Sequence, residues 1–436
     1  MADLQTFSII SLGCPKNTVD SEVLRGNLEL LRLQFEPNPA YADLIIINTC
    51  GFIETAREES VDTILETLEL KKVDPAKRVY VTGCLSQRYP DQLRAEIPEL
   101  DGIFGVESAA EIVRTISNTC ESCEDVERIR SLLTPAYTAY LKIAEGCDNS
   151  CSFCSIPLMR GKQHSRAIDS LLREAAYLHE KGVRELIMIA QDLTRYGSDL
   201  HPRVDLYTLL DELLGARLFS WVRLLYAHPD FWKKELNTLF QKYAELCPYL
   251  DIPVQHASSR LLKLMERGNN PSQIKATLMQ LRKDVPTIAL RTSVMVGFPT
   301  ESMADFNDLL NFIEELRFER LGVFTYSPEE DTRAMKLPDD VSGAEKDSRR
   351  DIVMQLQWDI AREFAMSKVG QTIEVLIESE HVDGYMARSR WDAPEIDGIV
   401  KVSSEQPLET GGIYPVNITD VDGIDLIGRV SSEPEA

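Results

Sequence analysis

The sequence predicts a three-part α/β protein: an N-terminal open parallel α/β sheet, a central partial (β/α)6 barrel and a C-terminal small antiparallel β-barrel. Three observations carry this. From Thr6 to Gly105 apolar strand-like runs alternate with helical periodicity; after Ala139 the rhythm returns in longer units; beyond Gln371 come short alternating strands punctuated by Gly384, Gly398, Gly411 and Gly423. Strand–helix alternation implies a parallel sheet covered by helices, whereas short glycine-punctuated strands close into a small barrel. A chain of 436 residues is too long for one core, and the expected boundaries are 1–120, 133–345 and 368–436.

In the first part TFSIISLG, ADLIIINTC and RVYVTGC read as buried strands, with helical patterns at Ser21–Gln34 and Thr55–Leu70 between them. Cys14, Cys50 and Cys84 each fall just past the carboxyl end of one of these strands. Parallel strands present those ends along one edge, where open α/β sheets bind ligands, so the three thiols are expected to converge. The bland alternative is three core cysteines, since free Cys is often buried. The part closes with Asp101–Gly105 and the helical VESAAEIVRTI. A polar link, Ser117–Arg130, follows and holds a CxxC pair, Cys120 and Cys123, read as an exposed linker pair.

The barrel opens with AYLKIAEG. Five more strand candidates follow, ELIMIAQD, WVRLLYAH, YLDIPVQH, IALRTSVMVGF and RLGVFTYSP, with helices such as Ser170–Lys181 and Asp305–Leu316 between them. Barrels of this kind work at the carboxyl ends of their strands. Directly after the first strand, EGCDNSCSFCSIP sets Cys147, Cys151 and Cys154 four and then three residues apart, so one loop aims three thiolates at a point. Iron–sulfur clusters normally take four Cys thiolates; a cubane held by three leaves one iron open. Zinc, the alternative, favours a CxxC pair answered by a distant pair. By the same reasoning Cys14, Cys50 and Cys84 suggest a second cluster.

At this face Gln191, Asp192, His228, Gln255, His256, Arg291 and Thr292 end or interrupt apolar strands. They are candidates for holding a nucleoside and a carboxylate, unless they merely bond barrel loops; Arg291 suits a carboxylate because its guanidinium can bind one bidentately. Gly297–Ser302, GFPTES, reads as a turn whose glycine lets the backbone approach a ligand. The acidic SPEEDTRAMKLPDD is expected over the barrel mouth, and Glu345–Ser367 as a helix with Ile352, Leu356, Ile360 and Phe364 on one face. Cys247 is assigned to packing.

Composition narrows the function. There is no secretion signal and no apolar run long enough for a membrane span, so a cytoplasmic location is expected. Nine Cys, an odd number, argue against a disulfide framework. A formal charge of −23 disfavours nucleic acid, whose binders neutralise phosphates with basic surface, and suits a basic partner. Lys368–Ala436 repeats the bias, with five basic against fourteen acidic residues.

Taken in order, SLGCPKN, NTCGFIETAREES, VTGCLSQRYP and EGCDNSCSFCSIP resemble the methylthiotransferase family of radical S-adenosylmethionine enzymes over nearly the whole chain. In that family the terminal module is a TRAM domain. The resemblance implies that Cys14, Cys50 and Cys84 hold an auxiliary 4Fe-4S cluster, Cys147, Cys151 and Cys154 the radical-generating one, and that S-adenosylmethionine is the second cofactor. Phe153 completes the loop signature and, with Gln191, Gln255 and Arg291, is expected to contact that cofactor. One branch of the family modifies an adenosine in transfer RNA, another an aspartate of small-subunit ribosomal protein twelve. EGCDNSCSFCSIPLMRGKQHSR and YLDIPVQHAS resemble the ribosomal branch, with tRNA adenosine methylthiolation as the alternative. The implied reaction methylates a sulfur at the auxiliary cluster, abstracts hydrogen from the aspartate β-carbon with an adenosyl radical, and joins the two. Expected partners are the basic ribosomal protein, free or in its subunit, and a reducing electron donor; neither stable RNA binding nor a membrane is expected.

Overall fold

The structure, a computed structural model, describes residues 4–117, 129–268 and 270–430. Cys120 and Cys123 lie outside the described residues. The first sheet comprises β1 (Thr6–Ser11), β2 (Gln34–Phe35), β3 (Leu44–Thr49), β4 (Arg78–Gly83) and β5 (Gly102–Ile103), all parallel, in the order β2-β1-β3-β4-β5. β2 and β5 span two residues each and are too short to leave a periodic signal, so sequence shows only the inner three. β3 is buried along its whole length, as expected of a strand covered on both faces. The first helix runs Pro15–Leu30 and starts well before the expected Ser21. Proline fits the first helical turn, where its missing N–H is not needed, so this helix begins immediately behind Cys14.

The central sheet is an open, parallel, six-stranded array. Its strands β6 (Thr138–Lys142), β9 (Glu185–Ile189), β10 (Trp221–Leu224), β11 (Leu246–Asp251), β12 (Ala289–Val296) and β13 (Arg320–Thr325) stand in the order β13-β12-β11-β10-β9-β6. A two-stranded antiparallel clasp, β7 (Ala144–Glu145) with β8 (His164–Ser165), brackets the Cys loop. The barrel interior, with Tyr140, Ile187, Trp221, Cys247 and Tyr249, packs Val19 of the first helix and also Leu376 and Ala393 of the C-terminal part. Both flanking parts therefore contribute to one core.

In the long helix Gly343–Met366 the inward face is Lys346, Arg349, Val353, Gln357 and Ile360, whereas the expected Ile352 is 47% exposed. The rest of the expected face holds, with Ile360 buried and Leu356 and Phe364 half-buried, and the polar members beside it find buried partners: Arg349 donates to Glu301 O at 3.0 Å and Gln357 to Phe318 O at 2.8 Å. The last part, β14 (Thr372–His381), β15 (Gly384–Ser389), β16 (Val400–Ser403), β17 (Ile413–Asp422) and β18 (Asp425–Val430), closes as β14-β15-β16-β18-β17. Its β16–β18 pair is parallel and its other pairings are antiparallel. Among the described residues no helix is long and apolar enough to cross a membrane.

Candidate active site

Cys50 and Cys84 directly follow β3 and β4, and Cys14 stands just past β1 as the N-cap of the helix Pro15–Leu30. Three adjacent parallel strands thus deliver their thiols to one edge. At Gly13 φ is +89°, and a Cβ there would lie 2.7 Å from Cys50 Cβ and 2.8 Å from Cys50 Sγ. Only glycine allows that approach. Asn17 Nδ2 donates to Leu12 O at 2.8 Å and Thr49 O at 3.1 Å, and Asn48 Nδ2 donates to Asn17 O at 2.9 Å. These bonds fix the strand ends relative to the helix.

The second trio sits between β7 and β8. Gly146, at φ +72°, presses so close to Lys162 O that an added Cβ would lie 2.1 Å away. Ser152 ties the loop down, its N–H to Met265 O at 2.9 Å and its Oγ–H to Leu264 O at 2.7 Å. Asn149 N–H donates to Cys147 Sγ at 3.4 Å, and Arg267 reaches Cys151 Sγ at 3.6 Å.

All six cysteines are free thiols. Burial pushes Cys50 and Cys147 upward, Cys84 up to about 11 and Cys154 up to about 12, so ligation must expel protons to make thiolates. Among the described residues no three His, Cys, Asp or Glu are placed to share one metal ion. A cubane asks for something else: each thiolate takes a different iron, so the sulfurs stand wider apart. Three free thiols at each site, Cys50 and Cys84 buried and the other four half-buried, fit that donor set.

A buried charge network joins the two sites. Arg160, six residues beyond Cys154, donates to Glu145 Oε2 at 2.7 Å, Asn17 Oδ1 at 2.6 Å and Cys84 Sγ at 3.3 Å, and pairs with Asp20 at 3.2 Å. Lys142 Nζ donates to Asp20 at 2.6 Å and to Glu145 at 2.8 Å. Burial opposes ionisation of Glu145, but the Lys142 and Arg160 charges outweigh it and hold the carboxyl down at about 2. A cavity of about 220 Å³ opens beside this network, bordered by Asp20, Gly83, Lys142 and Glu145.

Of the predicted mouth residues, Phe153 is half-buried against the barrel core. Gln191 donates to Glu145 while its buried Oε1 has no partner, an acceptor left for a ligand. Gln255 follows β11 with φ +67° and bridges Val294. Asp192 accepts from Asn149 Nδ2 at 2.7 Å, which ties that strand end to the Cys loop. His228 is driven down to about 2 by burial and by Arg267 and Arg195, and is therefore neutral.

Three others are occupied by the chain itself. Arg291 donates to Asp251 at 3.0 Å and pairs with Asp397 of the C-terminal part at 3.5 Å, because it lies near the start of β12 and not at its end. His256 Nδ1 accepts two backbone N–H groups at 2.9 Å, and Thr292 donates to Ile252 O at 3.0 Å. At Gly297 an added Cβ would strike Lys346 Cγ at 2.2 Å, so this glycine serves helix packing, contrary to the ligand approach expected from sequence. The acidic loop after β13 is held in place: Glu329 pairs with Arg57 and Arg88, and Ala334 N–H donates to Ser152 O at 2.8 Å. Lys16, Arg160, Arg195 and Arg267 went unremarked in the sequence; the available signal was a cation inside an otherwise apolar or cysteine-bearing motif.

Comparison with known proteins agrees with this anatomy. Residues 6–105 match an uncharacterized protein family, UPF0004, residues 141–313 the Radical SAM superfamily and residues 369–430 the TRAM domain. Fold and site together define a radical S-adenosylmethionine protein with an additional cysteine-bearing domain. "Ribosomal protein uS12 methylthiotransferase RimO" of Clostridioides difficile is 44% identical, with 98% of this chain and 99% of that one covered. The protein of the same name from Desulforamulus reducens is 42% identical, with 98% and 100% covered. The chain belongs to this family of ribosomal protein uS12 methylthiotransferases. Among solved structures, the radical S-adenosylmethionine methyltransferase TsrM of Kitasatospora setae superposes with a TM-score of 0.56 at 14% identity, covering 85% of this chain and 76% of its own. The cobalamin-dependent enzyme OxsB gives a TM-score of 0.52 at 13% identity, covering 82% of this chain and 58% of its own. At such identities these two show the fold alone.

Proposed function

We propose that the chain is a radical S-adenosylmethionine methylthiotransferase that places a methylthio group on the β-carbon of an aspartate in ribosomal protein uS12. The carrying observation is the pair of thiol trios that Arg160 joins across the domain junction. Its cofactors are S-adenosylmethionine and two 4Fe-4S clusters; when bound, these supply an electron for reductive cleavage of S-adenosylmethionine and a seat for the sulfur that is transferred. An unactivated C–H bond does not yield to acid–base chemistry, which is why a radical route is needed.

The chain's own residues supply the rest. Cys147, Cys151 and Cys154 hold one cluster and Cys14, Cys50 and Cys84 the other. Gln191 and Gln255 line the seat of S-adenosylmethionine with Phe153 packed beside the loop. Arg195 and Arg267, which have no carboxylate within ion-pair reach among the described residues, bring positive charge beside the Cys loop for the cofactor's carboxylate. The work is divided between the N-terminal part at 1–120, the barrel at 133–345 and the TRAM barrel at 368–436. Its acidic C-terminal barrel favours a basic ribosomal protein over transfer RNA, and the place of action is the cytoplasm, with a reducing protein as electron donor.

Anaerobically reconstituted chain, S-adenosylmethionine and reductant should be incubated in parallel with uS12 and with bulk tRNA. Mass spectrometry is expected to find the methylthio group on a uS12 aspartate; the group on tRNA adenosine alone would refute the reading.

A further inference from the structure

Resting on that reading, we propose that Lys16 is the residue that receives the substrate aspartate's carboxylate and so selects an acidic side chain. The helix that starts behind Cys14 turns Lys16 inward, where it is only 8% exposed. Among the described residues no carboxylate comes within ion-pair distance of its Nζ; the contact it makes is with the face of Tyr226, 4.3 Å from the ring centroid. Burying an ammonium with no carboxylate beside it is costly, so a substrate carboxylate arriving here would gain an ion pair that the described residues do not supply.

Three other cations of the junction do not share this condition. Lys142 is matched by Asp20, Glu107 and Glu145, and Arg160 by Asp20 and Glu145. Arg291 is taken by Asp251 and Asp397.

Tyr226 supplies an independent sign. It follows β10 at the barrel's working end with φ +70°, a strained setting for a tyrosine, and its N–H donates to Asp251 Oδ2 at 3.2 Å. Strain of this kind persists only where surroundings over-determine it, and it clusters at functional sites. The ring covers one side of the ammonium by cation–π contact.

The chemistry suits the place. In an aspartate the carboxylate carbon is bonded directly to the β-carbon, so a salt bridge to a lysine two residues from Cys14 pins the reacting carbon beside the N-terminal thiol trio. A neutral adenine ring would leave the ammonium unpaired, and unpaired buried polar groups are how sites reject wrong substrates.

The test measures binding of uS12 and of its variant with the target aspartate changed to asparagine. Reconstituted wild-type, Lys16→Met and Lys16→Arg chains are compared without S-adenosylmethionine, with iron content as a control. Wild type is expected to prefer the aspartate form by about tenfold or more, the scale of one charge-assisted contact. Lys16→Met should lose that preference while binding the asparagine form as wild type does, and Lys16→Arg should keep part of it. A wild type that binds both forms equally, or a Lys16→Met chain that weakens both alike, overturns the proposal. Should wild type leave uS12 unmodified altogether, the functional reading falls with it, whereas a modifying wild type that ignores the aspartate's charge overturns Lys16 alone.

Discussion

Arg160 Nε donates a hydrogen bond to Cys84 Sγ at 3.3 Å, although the two stand 76 positions apart, Cys84 directly behind β4 of the first sheet and Arg160 behind the Cys loop of the central part. The same guanidinium grips Glu145, on the strand that leads into the Cys loop, and Asn17 and Asp20 on the helix behind Cys14. One buried side chain therefore sets the distance between the two sulfur sites and polarises one of their thiolates. Hydrogen bonds to cluster sulfurs are among the terms that set reduction potential.

Arg160→Met should accordingly make the potential of the Cys14, Cys50 and Cys84 centre more negative and leave the barrel centre unchanged, read by electron paramagnetic resonance during a redox titration. It should also cost about 3–5 kcal/mol of stability, because Glu145 and Asp20 lose a partner in a buried network. Arg160→Lys should not restore the potential, since an ammonium cannot reproduce the fork that reaches sulfur, carboxylate and amide together. Equal shifts at both centres would remove the argument.

Gly13→Ala tests the N-terminal site through the backbone. The new methyl would fall on Cys50, 2.7 Å from its Cβ, at a φ of +89° that alanine resists. Iron per chain is expected to drop from about eight to about four, the content of one cubane, while 5′-deoxyadenosine formation continues. Full iron content in this variant would show that Cys50 need not be where the geometry puts it.

The two trios should also separate by function. Cys147→Ala is expected to abolish S-adenosylmethionine cleavage and, with it, everything downstream. Cys84→Ala should abolish methylthiolation and keep cleavage. Product analysis for 5′-deoxyadenosine beside mass analysis of uS12 distinguishes the two patterns, and loss of both activities in both variants would contradict the division of labour.

The parallel sheets and the cysteine-bearing strand ends were legible because each leaves a local signal: a buried apolar run, a helical period, a spacing of thiols. What escaped is non-local. Arg291 looked like a carboxylate clamp, yet its register near the start of β12 aims it at Asp251 and Asp397, and nothing in its neighbouring residues reveals a partner from the C-terminal part. Lys16 and Arg160 gain their meaning only when three chain segments meet. The inward face of the long helix was only partly legible for a similar reason, since Lys346, Arg349 and Gln357 also go inside to reach distant backbone and carboxylate groups that no periodicity of apolar residues can announce.

Glu185 yields a prediction for pH. Fully buried at the barrel's lower end, it accepts from Arg223 Nε at 2.9 Å and from Arg388 Nη1 of the TRAM barrel at 3.0 Å. Burial opposes its ionisation, but the Arg388 and Arg223 charges prevail and hold it down at about 2, against 4.5 for the free side chain. A carboxyl depressed on folding contributes stability that is fully present above the unfolded value and is lost as pH falls through the folded one. The contribution, about 3 kcal/mol from the size of the shift, should therefore be constant from neutral pH to about 5 and fade between about 4.5 and 2. Denaturant unfolding of wild type and Glu185→Gln across that range measures it. The gap between the two should be widest above pH 5, where the variant leaves two buried guanidinium groups short of a counter-charge, and should close as the wild-type carboxyl protonates. A gap that stayed constant down to pH 2 would mean that packing, and not the paired charge, holds the TRAM barrel against the central sheet.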